Sequence, residues 1–178
     1  MATTLGELLA AGDREAFAAL YDRLGQRLFA TARTMLASTT DAEDVVHDLF
    51  VELARSRQRL AAVADLDAYL FTMLRHAAIR RLRRRSLADR TLDRLGRDRL
   101  AGHGFATPPV EAADDSLSVA LASLPAEQRE LVALKIDGGL TFAEIATVLA
   151  ISPNTAASRY RYALEKLRTM LGTSESRR

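Results

Sequence analysis

The chain has 178 residues, of which 48% are hydrophobic and 27% are charged, and it contains neither cysteine nor tryptophan. This composition excludes a largely disordered protein, and the missing cysteine excludes disulfides, thiolate metal sites and a cysteine nucleophile. The first residues lack the pattern of a signal peptide, and no apolar run is long enough to predict a transmembrane helix. We therefore expect a cytoplasmic protein without membrane insertion.

The net charge of +2 hides an uneven distribution along the chain. Residues 1–74 carry 7 arginines against 11 acidic residues, whereas residues 75–99 carry 10 arginines against 3 aspartates. Residues 100–178 are nearly balanced, with 8 basic and 9 acidic residues. An acidic front, a basic middle and a neutral back predict surfaces for different partners.

Three amphipathic helices are predicted in the first half of the chain. The first covers residues 13–36, with apolar side chains recurring every three or four positions. The second covers residues 40–57 and opens with a capping box between Thr40 and Glu43. The third covers residues 66–85 and ends in a run of arginines. Three such helices can share one core.

The pattern as a whole predicts an all-α protein of two small helical domains. A three-helix bundle over residues 1–86 is the first domain, within which residues 56–65 lack periodicity and predict an irregular connection. Residues 87–114 contain a glycine- and proline-rich stretch that cannot continue a helix, and we interpret them as a flexible linker. The second domain covers residues 115–172, and residues 173–178 form a tail.

The second domain contains a predicted helix-turn-helix. Thr141 and Glu144 form a capping box for a short helix, and Ser152 is a good N-cap for a longer helix that Pro153 opens. In a helix-turn-helix the start of the second helix enters the DNA major groove. An ordinary pair of antiparallel helices with a polar outer face is the alternative. The positions predicted to be exposed are Asn154, Thr155, Ala157, Ser158, Arg161 and Tyr162, and those predicted to point inward are Tyr160, Leu164, Leu167 and Leu171.

Two charged segments are candidate binding surfaces in the first domain. Five arginines within residues 80–85 repel one another, and a polyanion would relieve that repulsion. The alternative is a solvated helix end, where cations complement the helix dipole. The second segment is an acidic face on the second helix. It indicates either a docking surface for a basic partner protein or simply acidic residues that complement the dipole at the start of the helix. Its members are Asp41, Glu43, Asp44, Asp48 and Glu52, with His47 among them.

No motif indicates a catalytic or metal centre. Asp44 and His47 have the spacing of half a carboxylate–histidine metal motif, but no second half is present, so we expect no metal and no cofactor. The sequence also lacks a nucleophile elbow, a phosphate-binding glycine loop and a serine–histidine–aspartate arrangement. We therefore do not expect an enzyme.

Taken in order, these segments resemble an extracytoplasmic-function sigma factor, a small two-domain bacterial transcription initiation factor of the sigma-70 family. Residues 41–50 are similar to region 2.2, and residues 67–79 with the following arginines resemble regions 2.3 and 2.4. Residues 124–168 resemble region 4. The resemblance implies recruitment of RNA polymerase core to promoters and recognition of the −10 element by region 2 and of the −35 element by region 4.

The resemblance also assigns partners and residues. Region 2.2 would bind the β′ clamp helices of the polymerase core, and the β subunit of the core is a further implied partner. An anti-sigma factor is also typical of the family. The implied core-binding residues are Asp41, Glu43, Asp44, Val45, Asp48 and Phe50. The implied −10 residues are Tyr69, Phe71, Thr72, Arg75, His76, Arg80, Arg83 and Arg84. The implied −35 residues are Asn154, Thr155, Ser158, Arg159, Arg161 and Tyr162.

Several of these positions depart from the family pattern, which often has tryptophan at Tyr69, arginine at Thr72, asparagine at His76 and a basic residue at Ala157. These departures predict an unusual promoter preference. Two other functions remain open from the residues alone. One is a helix-turn-helix regulator that binds duplex DNA without polymerase, and the other is a helical adaptor whose arginine run binds protein or RNA.

Overall fold

The computed structural model describes residues 3–96 and 115–175, and the side chains of residues 3–88 and 116–172. Within those ranges every regular element is a helix, and no helix is long and apolar enough to cross a membrane. The elements are α1 (Leu5–Ala11), α2 (Arg14–Leu36), α3 (Thr39–Arg55), a 3₁₀ helix (Arg57–Ala62), α4 (Leu66–Gly96), α5 (Asp115–Ala122), α6 (Ala126–Ile136), α7 (Phe142–Leu149) and α8 (Pro153–Glu175).

The boundaries of α2 agree with the predicted helix over residues 13–36. Asp13 is the N-cap, and its carboxylate accepts hydrogen bonds from the amides of Glu15 and Ala16. At the other end Ala37 adopts a left-handed conformation with φ of 51°, which stops the helix after Leu36. Both ends of this helix are therefore determined by local chain chemistry, which is why sequence patterns locate them.

The predicted start of α3 is wrong by two residues. Ser38, not Thr40, is the N-cap, and its hydroxyl accepts a hydrogen bond of 3.2 Å from the Asp41 amide. Ser38 has the extended backbone of an N-cap, whereas Thr40 already lies inside the first turn. Ser38, Thr39 and Thr40 all have side chains that can cap a helix, and the structure uses the first of them.

Two short elements were not predicted. Helix α1 has its own capping box between Thr4 and Glu7 and ends at Gly12, which has a φ of 83°. It packs on the 3₁₀ helix, which replaces the expected irregular connection, and a Cβ atom on Gly6 would lie only 2.7 Å from the Leu60 carbonyl oxygen. Elements of six or seven residues are too short to show a helical period.

Helix α4 also differs from its prediction, because it continues to Gly96, ten residues into the segment interpreted as a linker. Residues 97–114, which contain the rest of that segment, lie outside the described residues. We refer to residues 3–96 as the N-terminal domain and to residues 115–175 as the C-terminal domain. In the N-terminal domain α2, α3 and α4 pack around one leucine-rich core, which confirms the three-helix bundle.

The C-terminal domain confirms both predicted caps of the helix-turn-helix. Thr141 and Glu144 form the complete capping box of α7, and the Ser152 hydroxyl accepts from the Thr155 amide at the start of α8. One predicted inward residue is wrong, since Leu164 is exposed. The other three predicted inward residues, Tyr160, Leu167 and Leu171, pack on the core, and Ala156 and Ala163 are buried beside them.

The two domains pack against each other in this structure. Helix α2 contacts α6, and α4 contacts α7. The apolar core of the N-terminal domain continues into the C-terminal domain, so that Phe71 and Leu74 belong to the same cluster as Leu134 and Leu140. This contact determines which predicted binding residues are accessible.

Candidate nucleic-acid and partner-binding surfaces

The acidic face of α3 lies against the arginine run of α4. Arg81 pairs with Asp41 at 2.6 Å and with Asp44 at 3.0 Å, and Arg85 lies 3.6 Å from Asp41. The hydrogen bonds that the Arg81 guanidinium donates to Asp41 are the main reason that the pKa of Arg81 is raised. Sequence reasoning treated the acidic face and the arginine run as separate surfaces, whereas the structure joins them at these two aspartates.

The remaining charges of the two segments are exposed. On α3, Glu43 and Asp48 are exposed, and so is Asp44 despite its pair with Arg81, whereas Val45 is buried in the core beneath them. Phe50 is partly buried and packs edge-on against Tyr21, with 5.0 Å between the ring centroids. A shallow groove runs between α3 and α4, lined by Asp44, Val45, Asp48, Leu49, Glu52, Met73, Ala77, Arg80, Arg81 and Arg84.

The predicted −10 residues fall into an exposed group and a covered group. His76, Arg80, Arg83 and Arg84 are exposed along α4. By contrast, Phe71 is 0% exposed, and Tyr69 is partly buried against the core. Thr72 donates its hydroxyl proton to the Ala68 carbonyl of its own helix, at 2.7 Å.

Arg75, another predicted −10 residue, is engaged by the C-terminal domain. Its Nε lies 2.7 Å from Oε1 of Glu130 on α6, an ion pair whose N–H is not aligned for a hydrogen bond. Glu130 is 9% exposed. Burial raises the pKa of Glu130, and the positive charge of Arg75 opposes that rise.

Two further polar contacts hold the turn after α6 against α2. The Arg27 guanidinium donates from both Nε and Nη2 to the Gly138 carbonyl and stands over the Phe71 ring, 5.6 Å from its centroid. Thr34 donates its hydroxyl proton to Asp137 at 2.6 Å. Gly138 lies so close to Phe71 that an added Cβ would be 3.0 Å from the ring.

Most of the predicted −35 residues are accessible on α8. Asn154, Arg161 and Tyr162 are exposed, and Ser158 is partly exposed on the same helix. Thr155 contributes to the N-cap, because its hydroxyl lies 2.8 Å from that of Ser152. Arg159 pairs with Glu127 at 3.1 Å across the C-terminal domain. The first three turns of α8 therefore form a continuous polar surface that the N-terminal domain does not cover.

Sequence reasoning missed the residues that join the domains, namely Arg27, Thr34, Glu130, Asp137 and Gly138. The only local signal was the Asp137-Gly138-Gly139 helix stop, which says where α6 ends and nothing about its partner. Among the described residues no cluster of histidine, aspartate and glutamate is arranged to hold a metal ion.

The fold is that of a two-domain helical protein with a helix-turn-helix, an architecture typical of DNA-binding transcription proteins. The family model described as Sigma-70 region 2 matches residues 20–87, and the model described as Sigma-70, region 4 matches residues 114–167. The chain is 30% identical over 171 residues to the ECF RNA polymerase sigma factor SigK of Mycobacterium ulcerans, covering 93% of this chain and 91% of that protein. It is 28% identical over 170 residues to SigK of Mycobacterium bovis, with the same coverage.

Two solved structures share the fold. CnrH in complex with the cytosolic domain of CnrY matches with a TM-score of 0.68 and 25% identity, over 95% of this chain and 96% of that one. The sigma factor RpoE of Bartonella quintana, in complex with the anti-sigma factor NepR, matches with a TM-score of 0.71 and 23% identity, over 89% and 98% of the two chains. The chain belongs to the extracytoplasmic-function sigma factors of the sigma-70 family. It is therefore a factor that directs RNA polymerase to promoters for transcription initiation.

Proposed function

We propose that this sigma factor docks on the β′ clamp helices of RNA polymerase core through the exposed acids of α3, reads the −10 element with α4 and reads the −35 element with α8. The observation that carries the proposal is the separation of exposed charge. Acidic side chains line α3, whereas arginines extend along α4 and the start of α8 carries polar groups. Such a division suits one protein partner and one polyanion.

The proposed core-binding surface rests on Glu43, Asp44 and Asp48, whose side chains are exposed on α3. Val45 supports that surface from within the core, and Phe50 supports it through Tyr21. Asp41 serves a different purpose, because Arg81 and Arg85 both pair with it and hold α4 against α3. The proposed docking surface on α3 is thereby in direct contact with the arginine run of α4.

For the −35 element we propose that α8 enters the major groove with its first turns. Arg161 and Asn154 have the side chains that best distinguish base edges, since arginine pairs with guanine and asparagine with adenine. Ser158 and Tyr162 lie near them on the helix, and Arg159 would face phosphate. Ala157 offers no charge at a position where the family often has one, so recognition rests on these neighbours.

We further propose that the protein acts in the cytoplasm, where its polymerase is, has no catalytic activity of its own and is held inactive by an anti-sigma factor. Support for the last point comes from the two structural relatives, both of which are complexes with a second protein, described for RpoE as an anti-sigma factor. A regulator acting on duplex DNA alone has no observation in its favour.

A double substitution tests the assignment to polymerase. Asp44→Arg with Asp48→Arg should abolish binding to purified core, whereas loss of the exposed Asp44–Arg81 pair should lower the free energy of unfolding by only about 1 kcal/mol. Asp22→Arg, which changes an exposed acid of α2, is the matched control and should still bind. Undiminished core binding by the double variant would refute this docking surface.

Transcription in vitro tests the function itself. Purified core with this protein, on a library of genomic promoter fragments, should yield transcripts that begin at a restricted set of sites and are absent with core alone. Promoters recovered in this way also provide the −10 and −35 sequences. Active core that gives no such transcripts with this protein would overturn the proposed function.

A further inference from the structure

We propose that Asp41 is a positioning residue for promoter recognition, which holds Arg81 and Arg85 against α3 and so determines which arginines of α4 can reach DNA. The arginines left for DNA are Arg80, Arg83 and Arg84. The inference rests on the proposed function, since it takes α4 to be the −10 reader. It adds a role for an acidic residue that contacts neither the polymerase nor the promoter.

Both oxygens of the Asp41 carboxylate face arginines of α4. Arg81 donates to Oδ1 from Nε, at 2.9 Å, and from Nη2, at 2.6 Å. Nη1 of Arg85 lies 3.6 Å from the other oxygen, Oδ2. The side chain of Asp41 is only 16% exposed, and its amide donates to the hydroxyl of the Ser38 N-cap. The carboxylate is therefore enclosed, and the residue that carries it is fixed in the first turn of α3.

The arginine run of α4 is divided into two groups by this contact. Arg81 and Arg85 are four residues apart, so they lie one helical turn from each other on the same side of the helix. Both are only partly exposed, whereas the other three arginines of the run are exposed, namely Arg80, Arg83 and Arg84. The structure thus separates two arginines that face a carboxylate from three that DNA can reach.

Asp44 is a second partner of Arg81, but it is not free to retain that arginine in the complex that binds DNA. It lies 3.0 Å from Nη2 of Arg81, and its side chain is 53% exposed and belongs to the proposed core-binding surface. A basic group of the polymerase that pairs with Asp44 would draw its carboxylate away from Arg81. In the holoenzyme, the complex of core with this sigma factor, Asp41 is then the carboxylate that retains Arg81.

A released arginine can be detected through salt. A cation that pairs with a DNA phosphate displaces counterions, so each contact steepens the fall of log K with log salt concentration by about 0.7–0.9. Without the negative charge of Asp41, the long side chains of Arg81 and Arg85 can turn to phosphate. Asp41→Asn should therefore steepen the slope by about 0.7–1.8. It should also strengthen binding to unrelated DNA more than to the promoter, because phosphate contacts carry no sequence information.

The test uses holoenzyme reconstituted from purified core and each variant. Its DNA is a promoter fragment recovered with the wild type, with the −10 segment left single-stranded, and binding is measured over a series of salt concentrations. Asp41→Asn should bind core like the wild type and show the steeper slope, whereas Asp41→Glu keeps the charge and should retain the wild-type slope. Arg83→Gln should make the slope shallower by about 0.7–0.9, and Arg85→Gln should leave it unchanged.

A triple variant separates this role from a merely structural one. Asp41→Asn with Arg81→Gln and Arg85→Gln lacks the same ion pairs as Asp41→Asn but contains no released arginine, so its slope should return to that of the wild type. A triple variant that keeps the steeper slope would contradict the inference, and so would a wild-type slope for Asp41→Asn. Loss of core binding by Asp41→Asn would make Asp41 a contact of the polymerase and would equally refute its positioning role.

The arginine variants decide the matter even if the substitutions of Asp41 do not fold. Equal changes of slope for Arg85→Gln and Arg83→Gln would place Arg85 on DNA, and the division of the run would be wrong while the proposed function stands. If the slope stays the same in an active holoenzyme for each substitution of the three exposed arginines by glutamine, α4 does not hold the −10 DNA. In that case the proposed −10 reader fails, and the role of Asp41 fails with it.

Discussion

The two surfaces that we propose read DNA, the −10 surface on α4 and the −35 surface on α8, differ in their exposure. On α8, Tyr162 is 59% exposed and Arg161 and Asn154 are directed to solvent, so the −35 surface is available in the structure as it stands. On α4, Phe71 is fully buried and Arg75 is paired with Glu130. The same conformation therefore exposes the proposed −35 surface on α8 and covers a large part of the proposed −10 surface on α4.

The difference has a simple physical origin. The −35 surface is the polar outer face of a short domain, whose own core requires only the opposite side of α8. The −10 surface lies on a helix that carries apolar side chains on more than one face, and the C-terminal domain covers the additional face. An aromatic side chain that stacks on bases when DNA is bound is an apolar surface, and without DNA it is buried against protein instead.

Phe71→Ala should have the largest effect on this comparison. Removing a fully buried aromatic ring should lower the free energy of unfolding by about 3–5 kcal/mol, measured by chemical denaturation. Tyr162→Ala on the exposed surface is the matched control and should cost less than about 0.5 kcal/mol. If the two substitutions lowered the free energy of unfolding equally, Phe71 would not be more deeply buried than Tyr162, and the comparison would fail.

Arg161→Ala should affect binding without affecting the fold. If the side chain contacts a guanine, its loss should weaken binding of polymerase holoenzyme to the −35 element by about 1–3 kcal/mol and relax the base preference at one position. The melting temperature should stay the same because Arg161 is exposed. Undiminished affinity and base preference would place the −35 contact elsewhere on α8.

Arg75→Gln should loosen the domain contact by about 1 kcal/mol, because the Glu130 carboxylate of α6 loses its counter-charge at a site that water still partly reaches. Spin labels on cysteines introduced at Arg57 and Thr147, both exposed, should report a broader distribution of distances than in the otherwise unsubstituted labelled chain. Glu127→Gln, an exposed carboxylate on the same helix, is the control. A distribution as narrow as in that control would show that the ion pair does not hold the domains together.

The smallest expected effect is a dependence of the domain contact on pH. Burial raises the pKa of Glu130, which faces Arg75 and Glu127, and burial also raises the pKa of Asp137, which faces Arg33 and Thr34. A raised carboxyl pKa means that the closed state binds protons more readily than the open state. The closed state is therefore favoured below the ordinary carboxyl pKa and loses that advantage as the pH rises through the raised values.

The same spin-label distances, recorded from about pH 4.5 upwards, would show this loosening. The combination of Glu130→Gln and Asp137→Asn should remove the dependence. Glu144 has the opposite sign, because bonds from the Thr141 amide and hydroxyl lower its pKa. Its contribution to stability is present above the ordinary value and is lost as the pH falls through the lowered pKa. A contact that tightens as the pH rises would contradict the assignment to Glu130 and Asp137.

Much of the local structure was predictable because it depends on neighbouring residues. The caps at Asp13, Thr141 and Ser152 each involve an amide two or three residues further on. The start of α3 was predicted wrongly because any of three consecutive hydroxyl residues, Ser38, Thr39 and Thr40, could cap it. The family was also recognisable, since region 2 and region 4 motifs occur in the right order and at the right spacing.

The sequence by itself therefore determined the all-α class, the helix-turn-helix, the segregation of charge and the family. The tertiary structure alone decided which predicted site residues are accessible. In the sequence, nothing distinguishes Phe71 and Arg75 from the exposed residues of α4 that we propose bind DNA; only the structure shows Gly138 and Glu130 against them. Residues so far apart in sequence meet only because two apolar surfaces are buried together, and burial against a distant partner leaves no periodic pattern along the chain.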